Sequence, residues 1–424
     1  VTDLEAVARV RVSSGSLVER LVCHPRLPLI AALDGERPAV RVWGCEAGQL
    51  RELGCAGAES DDYGDAFGWE RIERTPAVAW HPYERQLVVV GGEYGVVRWS
   101  PAGLSAMDGL PPAADYRDAA FSPDGRTLWA TPSSDRGWGG SDAVDLASGT
   151  VVSGPPWDTG VAHHPGGGLV ATLNSDQAAT HCLFARVDPE AGSGAMRLLR
   201  RALILDVDDY ETPLFSPDGR HFAIRGNSYD NTLDVFAFPS LQRVLATTLG
   251  EPDPRAYPRP KEWLDQMHAW SRHNLAFAGR PGLLWVGTPT GTLIEIDVQT
   301  SRAVEHDILV GSPVSALAAM AGGELVLANG SAELVVVSVR SDPEESSAAD
   351  DGDTSAAAAS AVSAFLDATS EVPDGDEWQE HLVLTDGDRV WNPVDLATVH
   401  TATAQDPVWL QLRATQNPMF DAGT

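Results

Sequence analysis

Three histidines, His24, His81 and His164, each stand immediately before a proline, and three imidazoles in one recurring setting raise the question of a metal centre. Zinc accepts three such nitrogens with a fourth position open. However, Ser122 and Ser216 fill the same slot before Pro123 and Pro217, and equivalent positions of successive repeats lie apart in a repeat fold. The slot therefore reads as a capped or half-buried turn, and no metal ligand is assigned. The run Asp206 to Glu211 carries four acids but lacks the Asp-x-Asp-x-Asp-Gly loop that wraps calcium, so it reads as a solvated acidic loop.

Other chemistry is absent from the local patterns. Every basic residue is Arg except Lys261, which sits between Pro260 and Glu262, so no Gly-Lys-Ser/Thr phosphate loop is encoded. There is no His-Glu-x-x-His, Gly-x-Ser-x-Gly or Gly-x-Gly-x-x-Gly. Cys23, Cys45, Cys55 and Cys182 form no Cys-x-x-Cys pair and read as structural thiols of a reducing cytosol. No catalytic residue and no cofactor is assigned.

The 424 residues carry 60 acids against 30 bases, a formal charge of -30. Such a surface repels phosphate backbones and anionic membranes and favours basic proteins. The chain's opening residues alternate apolar and charged side chains, and no apolar run approaches a membrane span. A cytoplasmic protein without nucleic-acid or membrane partners is expected, and the excess of Arg and Ala suggests a GC-rich bacterial genome.

The elements that must position these residues come from a repeat. Val22-Cys-His-Pro25, Ala79-Trp-His-Pro82, Ala120-Phe-Ser-Pro123, Ala162-His-His-Pro165 and Leu214-Phe-Ser-Pro217 share one pattern, with weaker relatives at Leu275 to Ala278 and Leu317 to Met320. The anchors at 24, 81, 122, 164, 216, 278 and 320 are 57, 41, 42, 52, 62 and 42 residues apart. Three intervals agree, and the others hold insertions near 56–75, 189–201 and 251–273. Apolar runs such as Leu87 to Val90 and Leu169 to Thr172 follow the anchors, as expected of strands covered on both faces. A period of about 40 to 45 residues with several short strands is that of propeller blades.

Two of the anchors extend to Phe-Ser-Pro-Asp-Gly-Arg, at Phe121 to Arg126 and Phe215 to Arg220, and strands end at Val42-Trp43-Gly44 and Arg98-Trp99-Ser100. On these residues the chain, over roughly 5 to 340, resembles the bacterial WD-repeat β-propellers, with TolB-type propellers related at superfamily level. The family's Gly-His and Trp-Asp dipeptides are mostly missing, so its Asp-His tetrad is not carried over. The resemblance implies a non-catalytic scaffold that holds protein partners, in a complex built around a regulatory ATPase, kinase or protease. Two rivals are a hydrolase or lactonase with its site at a channel mouth, and a propeller that binds a small molecule or carbohydrate.

An all-β, seven-bladed β-propeller over 1–340 is expected, with Glu5 to Val12 supplying the missing edge of the last blade. Residues 341–377 hold eleven acids and no base, and read as a disordered linker with room for a helix at Ala356 to Ala368, where Val362, Phe365 and Leu366 share a face. Residues 378–424 read as a strand-rich block, including Thr398 to His400 and Val408 to Leu412. An echo of Val314 to Leu317 at Val362 to Phe365 makes eight blades the alternative. Trp, Tyr and Arg dominate binding hot spots. The insertions therefore supply the candidate partner-binding residues: Tyr63 and Trp69; Arg136 and Trp138; and Arg255, Tyr257, Arg259, Lys261, Trp263 and Trp270.

Overall fold

The computed structural model describes residues 2–66, 69–91, 95–110, 115–133, 140–176, 178–187, 194–226, 230–254, 258–309, 311–340, 351–375 and 377–421. The chain is an all-β seven-bladed β-propeller, made of seven small antiparallel sheets in sequence order. It divides into two compact units. The first comprises 1–156, 189–195 and 253–353, and the second 157–188, 196–252 and 354–424.

In the first unit, the four-stranded sheets begin at Val18, Ala77, Tyr116, Leu275 and Val314. Within each, strand burial follows hydrophobic patterning. The second strands Leu29–Asp34, Leu87–Val90, Leu283–Gly287 and Leu325–Asn329 are buried at every residue. The fourth strands Gly103–Ala106 and Arg302–Asp307 are almost wholly exposed. A strand covered on both faces must be apolar throughout, whereas a peripheral one tolerates charge. The first strands carry a bulge at a matching place, between Val18 and Arg20, Tyr116 and Asp118, and Val314 and Ala316. The second unit repeats it between Thr159 and Val161. Such bulges bend the strand and strengthen its twist.

The last blade is closed from the other end of the chain. Asp3–Arg11 pairs antiparallel with Glu333–Arg340, from Asp3 opposite Arg340 to Arg11 opposite Glu333. The expected N-terminal closure is thus present, two residues earlier than Glu5, and it gives a partner to a strand edge that would otherwise lie open.

Five helices accompany the sheets: α1 (Trp69–Arg74), α2 (Lys261–Ala269), α3 (Asp351–Asp367), α4 (Pro393–Ala397) and α5 (Val408–Asp421). The first two lie in insertions of the first unit. The other three belong to the second unit, where the sheet beginning at Thr159 has six strands instead of four. Its fifth strand, Val383–Thr385, runs parallel to Met196–Asp206 with Ala202 opposite Leu384, and Val390–Trp391 folds back on it.

The part of the chain after residue 340 departs from expectation. Residues 341–350 lie outside the described residues. Instead of a disordered linker, 351–367 form α3, and Val362 and Phe365 are buried beside Phe184 and Phe238. The Phe365 ring lies 5.0 Å from Phe184 and 5.1 Å from Phe238. Burying an aromatic ring there outweighs the weak helix preference of a charged, Ser-rich sequence. Val408 to Leu412, expected as a strand, opens α5: Trp409, Leu410 and Ala414 are buried, while Val408 and Leu412 face outward. That spacing fits a helix, and five residues were too few to distinguish the periods. Thr398 to His400 contains no strand. The two short strands of this block extend an existing sheet, so there is no eighth blade.

Candidate functional site

The turns that carry the histidines share one backbone plan. The amide of each anchor donates to the carbonyl five residues on: His24 to Leu29 (2.8 Å), His81 to Gln86 (2.9 Å), Ser122 to Thr127 (2.9 Å), His164 to Leu169 (3.0 Å) and Ser216 to His221 (2.9 Å). The side chains complete the turn differently. Ser122 and Ser216 each donate to an aspartate two residues on, Asp124 and Asp218, at 2.6 Å. Their hydroxyl oxygens accept from the amides of Thr127 and His221 at 3.0 Å.

The histidines reach further. His24 Nδ1 accepts from the amides of Arg26 (3.0 Å) and Leu27 (3.1 Å), which places the ring proton on Nε2, and Nε2 donates to the carbonyl of Glu84 at 3.0 Å. His164 does the same, with Nδ1 accepting from Gly166 and Nε2 donating to the carbonyl of Gly219, both at 3.0 Å. Glu84 and Gly219 are the third residues after the next anchors, 81 and 216. His81 accepts from the amides of Tyr83 (3.2 Å) and Glu84 (3.0 Å), and its ring abuts Gly125, the third residue after anchor 122. Each imidazole also meets the aromatic residue just before the next anchor: His24 with Trp80 at 5.2 Å, His81 with Phe121 at 5.1 Å and His164 with Phe215 at 4.9 Å.

This stitch explains why the motif reads aromatic, His or Ser, then Pro. The aromatic is the wall for the preceding histidine, and the histidine ties one blade turn to the next. Burial favours the neutral imidazole, lowering the pKa of His24 and bringing that of His164 down to about 4. Among the described residues, no three His, Cys, Asp or Glu side chains form a metal-holding group. Asp206, in the acidic run, instead accepts from the amide of Trp409 at 3.3 Å through its carboxylate, and from the Tyr210 hydroxyl at 2.6 Å through its carbonyl. The four thiols are free, and burial pushes that of Cys23 up to about 12 and those of Cys45, Cys55 and Cys182 upward. Protonated thiols are poor nucleophiles.

The candidate binding residues fall into separate places. Tyr63 is buried under the guanidinium of Arg71, 4.5 Å from its ring centroid, with Arg74 at 5.6 Å. Arg71 also donates to the carbonyls of Gly35 (2.9 Å) and Tyr63 (3.2 Å) and pairs with Glu19. Tyr63 is therefore the peg that fastens this insertion, while Glu59, Asp61, Asp62 and Asp65 around it are exposed. Trp69 is the first residue of α1. Arg136, Trp138, Arg255 and Tyr257 lie outside the described residues.

In the insertion carrying α2, Trp263 is buried and Trp270 is half-buried at the helix end. Arg259 pairs with Asp253 at 2.8 Å and lies 5.6 Å from the Trp263 ring. Here too the aromatic anchors the loop. Lys261, Glu262, Asp265, Gln266 and His268 are exposed. The polar residues flanking the tryptophans were passed over at sequence level because hot-spot composition favours aromatics. A helical period through Lys261 to Ala269, with Trp263 inward, would have exposed them.

No protein-family model matches the chain, and no curated protein matches it. No helix among the described residues is long and apolar enough to cross a membrane.

Proposed function

We propose that this chain is a non-catalytic scaffold of the WD-repeat propeller type, working in the bacterial cytoplasm to hold protein partners through its insertions. One observation carries the reading. Both described insertions are fastened by an aromatic turned inward, Tyr63 in one and Trp263 in the other, so that charged faces are held outward on ordered segments. Pre-ordering a contact surface lowers the entropy lost on association. The exposed acids beside Tyr63 suit a basic partner, and α2 offers a mixed-charge face to a second. A regulatory ATPase, kinase or protease complex is the setting this role implies.

Affinity capture from the native cell tests the proposal. The wild-type chain should retain stoichiometric partners, and Lys261→Glu combined with Gln266→Ala and His268→Ala should lose at least one while melting normally. Capture of no stoichiometric protein by the wild type at low salt would sink the scaffold reading.

A further inference from the structure

The C-terminal segment buries one apolar face and exposes another. Leu382, Leu384, Leu396, Trp409 and Leu410 pack with Leu183, Leu198, Ala202 and Ile204 of the six-stranded sheet. On the outside, Val390 and Val394 are 63% and 74% exposed, and Val408 and Leu412 are 42% and 43% exposed. Aliphatic side chains this exposed are unremarkable singly, but a contiguous group marks a contact surface.

Short links tie together the segments that carry these four residues. Arg389, beside Val390, pairs with Asp406 at 3.0 Å, two residues before Val408. Trp391, on the other side of Val390, meets Trp409 edge to face at 5.0 Å. Arg413, next to Leu412, donates to the carbonyl of Leu396, two residues after Val394, at 2.9 Å. In α5, Val408 and Leu412 are one helical turn apart, opposite the buried Trp409, Leu410 and Ala414.

Charge identifies what would cover them. Residues 378–424 hold six acids and two Arg, and both Arg, Arg389 and Arg413, are engaged by the internal bonds just described. Glu380, Asp388 and Asp395 are exposed. A second copy of this chain would bring another formal charge of -30 toward an already acidic surface. A basic amphipathic helix would set aliphatic residues on the four side chains and Lys or Arg against the surrounding carboxylates.

We propose that Val390, Val394, Val408 and Leu412 form a docking surface for a basic amphipathic segment of a partner protein. This deepens the scaffold reading by giving it a site separate from the insertions.

A labelled helical peptide of Lys and Leu, titrated into the full chain and followed by anisotropy, tests the surface. A matched Glu and Leu peptide is the control. The Lys peptide should bind, weaken as salt rises, and lose at least tenfold affinity with Val394→Ser plus Leu412→Ser, while the Glu peptide should not bind. Near-ultraviolet circular dichroism of the Trp391 and Trp409 pair checks folding. If the double variant fails that check, Val390→Ser alone replaces it and should also weaken binding. Unchanged affinity in the folded variants, equal binding of the Glu peptide, or self-association of the chain abolished by the same substitutions overturns the proposal. If cellular capture through the insertions survives while peptide binding fails, the scaffold reading stands and this surface falls.

Discussion

His164 donates from Nε2 to the carbonyl of Gly219, 55 positions along the chain, while its Nδ1 accepts from the amide of Gly166 two residues away. One side chain thus closes its own turn and joins it to the next blade, and the arrangement requires a neutral ring. Replacing it leaves a buried carbonyl and a buried amide short of a partner.

Stability should therefore fall in mild acid through this residue. Its folded pKa is about 4, against 6.5 for the unexposed reference value, so the unfolded chain binds more protons between those limits. The contribution is complete above the unfolded value and is lost as pH falls towards the folded one, amounting to roughly 3 kcal/mol at most. Asp234 acts with the opposite sign: burial, resisted by Arg243, raises its carboxyl to about 6, so its contribution is present in acid and lost as pH rises through that value. Comparing wild type with His164→Gln cancels the aspartate. Urea midpoints should differ by about 2 kcal/mol at neutral pH and converge near pH 4.

The glycines facing the histidines are held by space as well as by backbone. Gly219 has φ +66°, and a Cβ there would lie 2.5 Å from His164 Cε1, whereas Gly15 has φ +73° with nothing within 4 Å. Gly15→Ala should cost about 1 kcal/mol of backbone strain. Gly219→Ala should cost at least ~2 kcal/mol, because the imidazole must also move. Equal losses in chemical denaturation would show that the ring yields freely.

Removing residues 1–12 should lower the melting temperature by roughly 5 °C or more, since the edge of Glu333–Arg340 loses its ladder partner. The truncated chain should also gain size in light scattering, because a bare strand edge recruits other strands. An unchanged melting point would mean that the closing strand contributes nothing.

Phe365→Ala should destabilise the second unit by about 3–5 kcal/mol, the cost of a cavity where a wholly buried ring touched Phe184 and Phe238. Amide exchange over 355–370 should rise before that of the strands. Phe365→Leu should recover most of the loss.

The repeat was legible because each blade restates the same physical demand. A turn needs His or Ser before Pro, and the strand after it needs an uninterrupted apolar run, so anchor spacing and strand positions could be read directly. The partners of the anchor histidines were not legible, because Glu84, Gly125 and Gly219 are named by blade stacking and carry no local mark. The candidate binding aromatics were read by residue type alone. Tyr63 and Trp263 turned out to face inward, since a large ring gains more from burial than from display.

Sequence by itself determined the blade period, the number of anchors and the need for an N-terminal strand at the last blade, because an unpaired edge is costly wherever it lies. Only tertiary structure decided the fate of the chain beyond residue 340. There, short apolar stretches had no period long enough to declare themselves. Val408 became helix and Val383 became strand because the outer edge and apolar face of Met196–Asp206 were available to receive them.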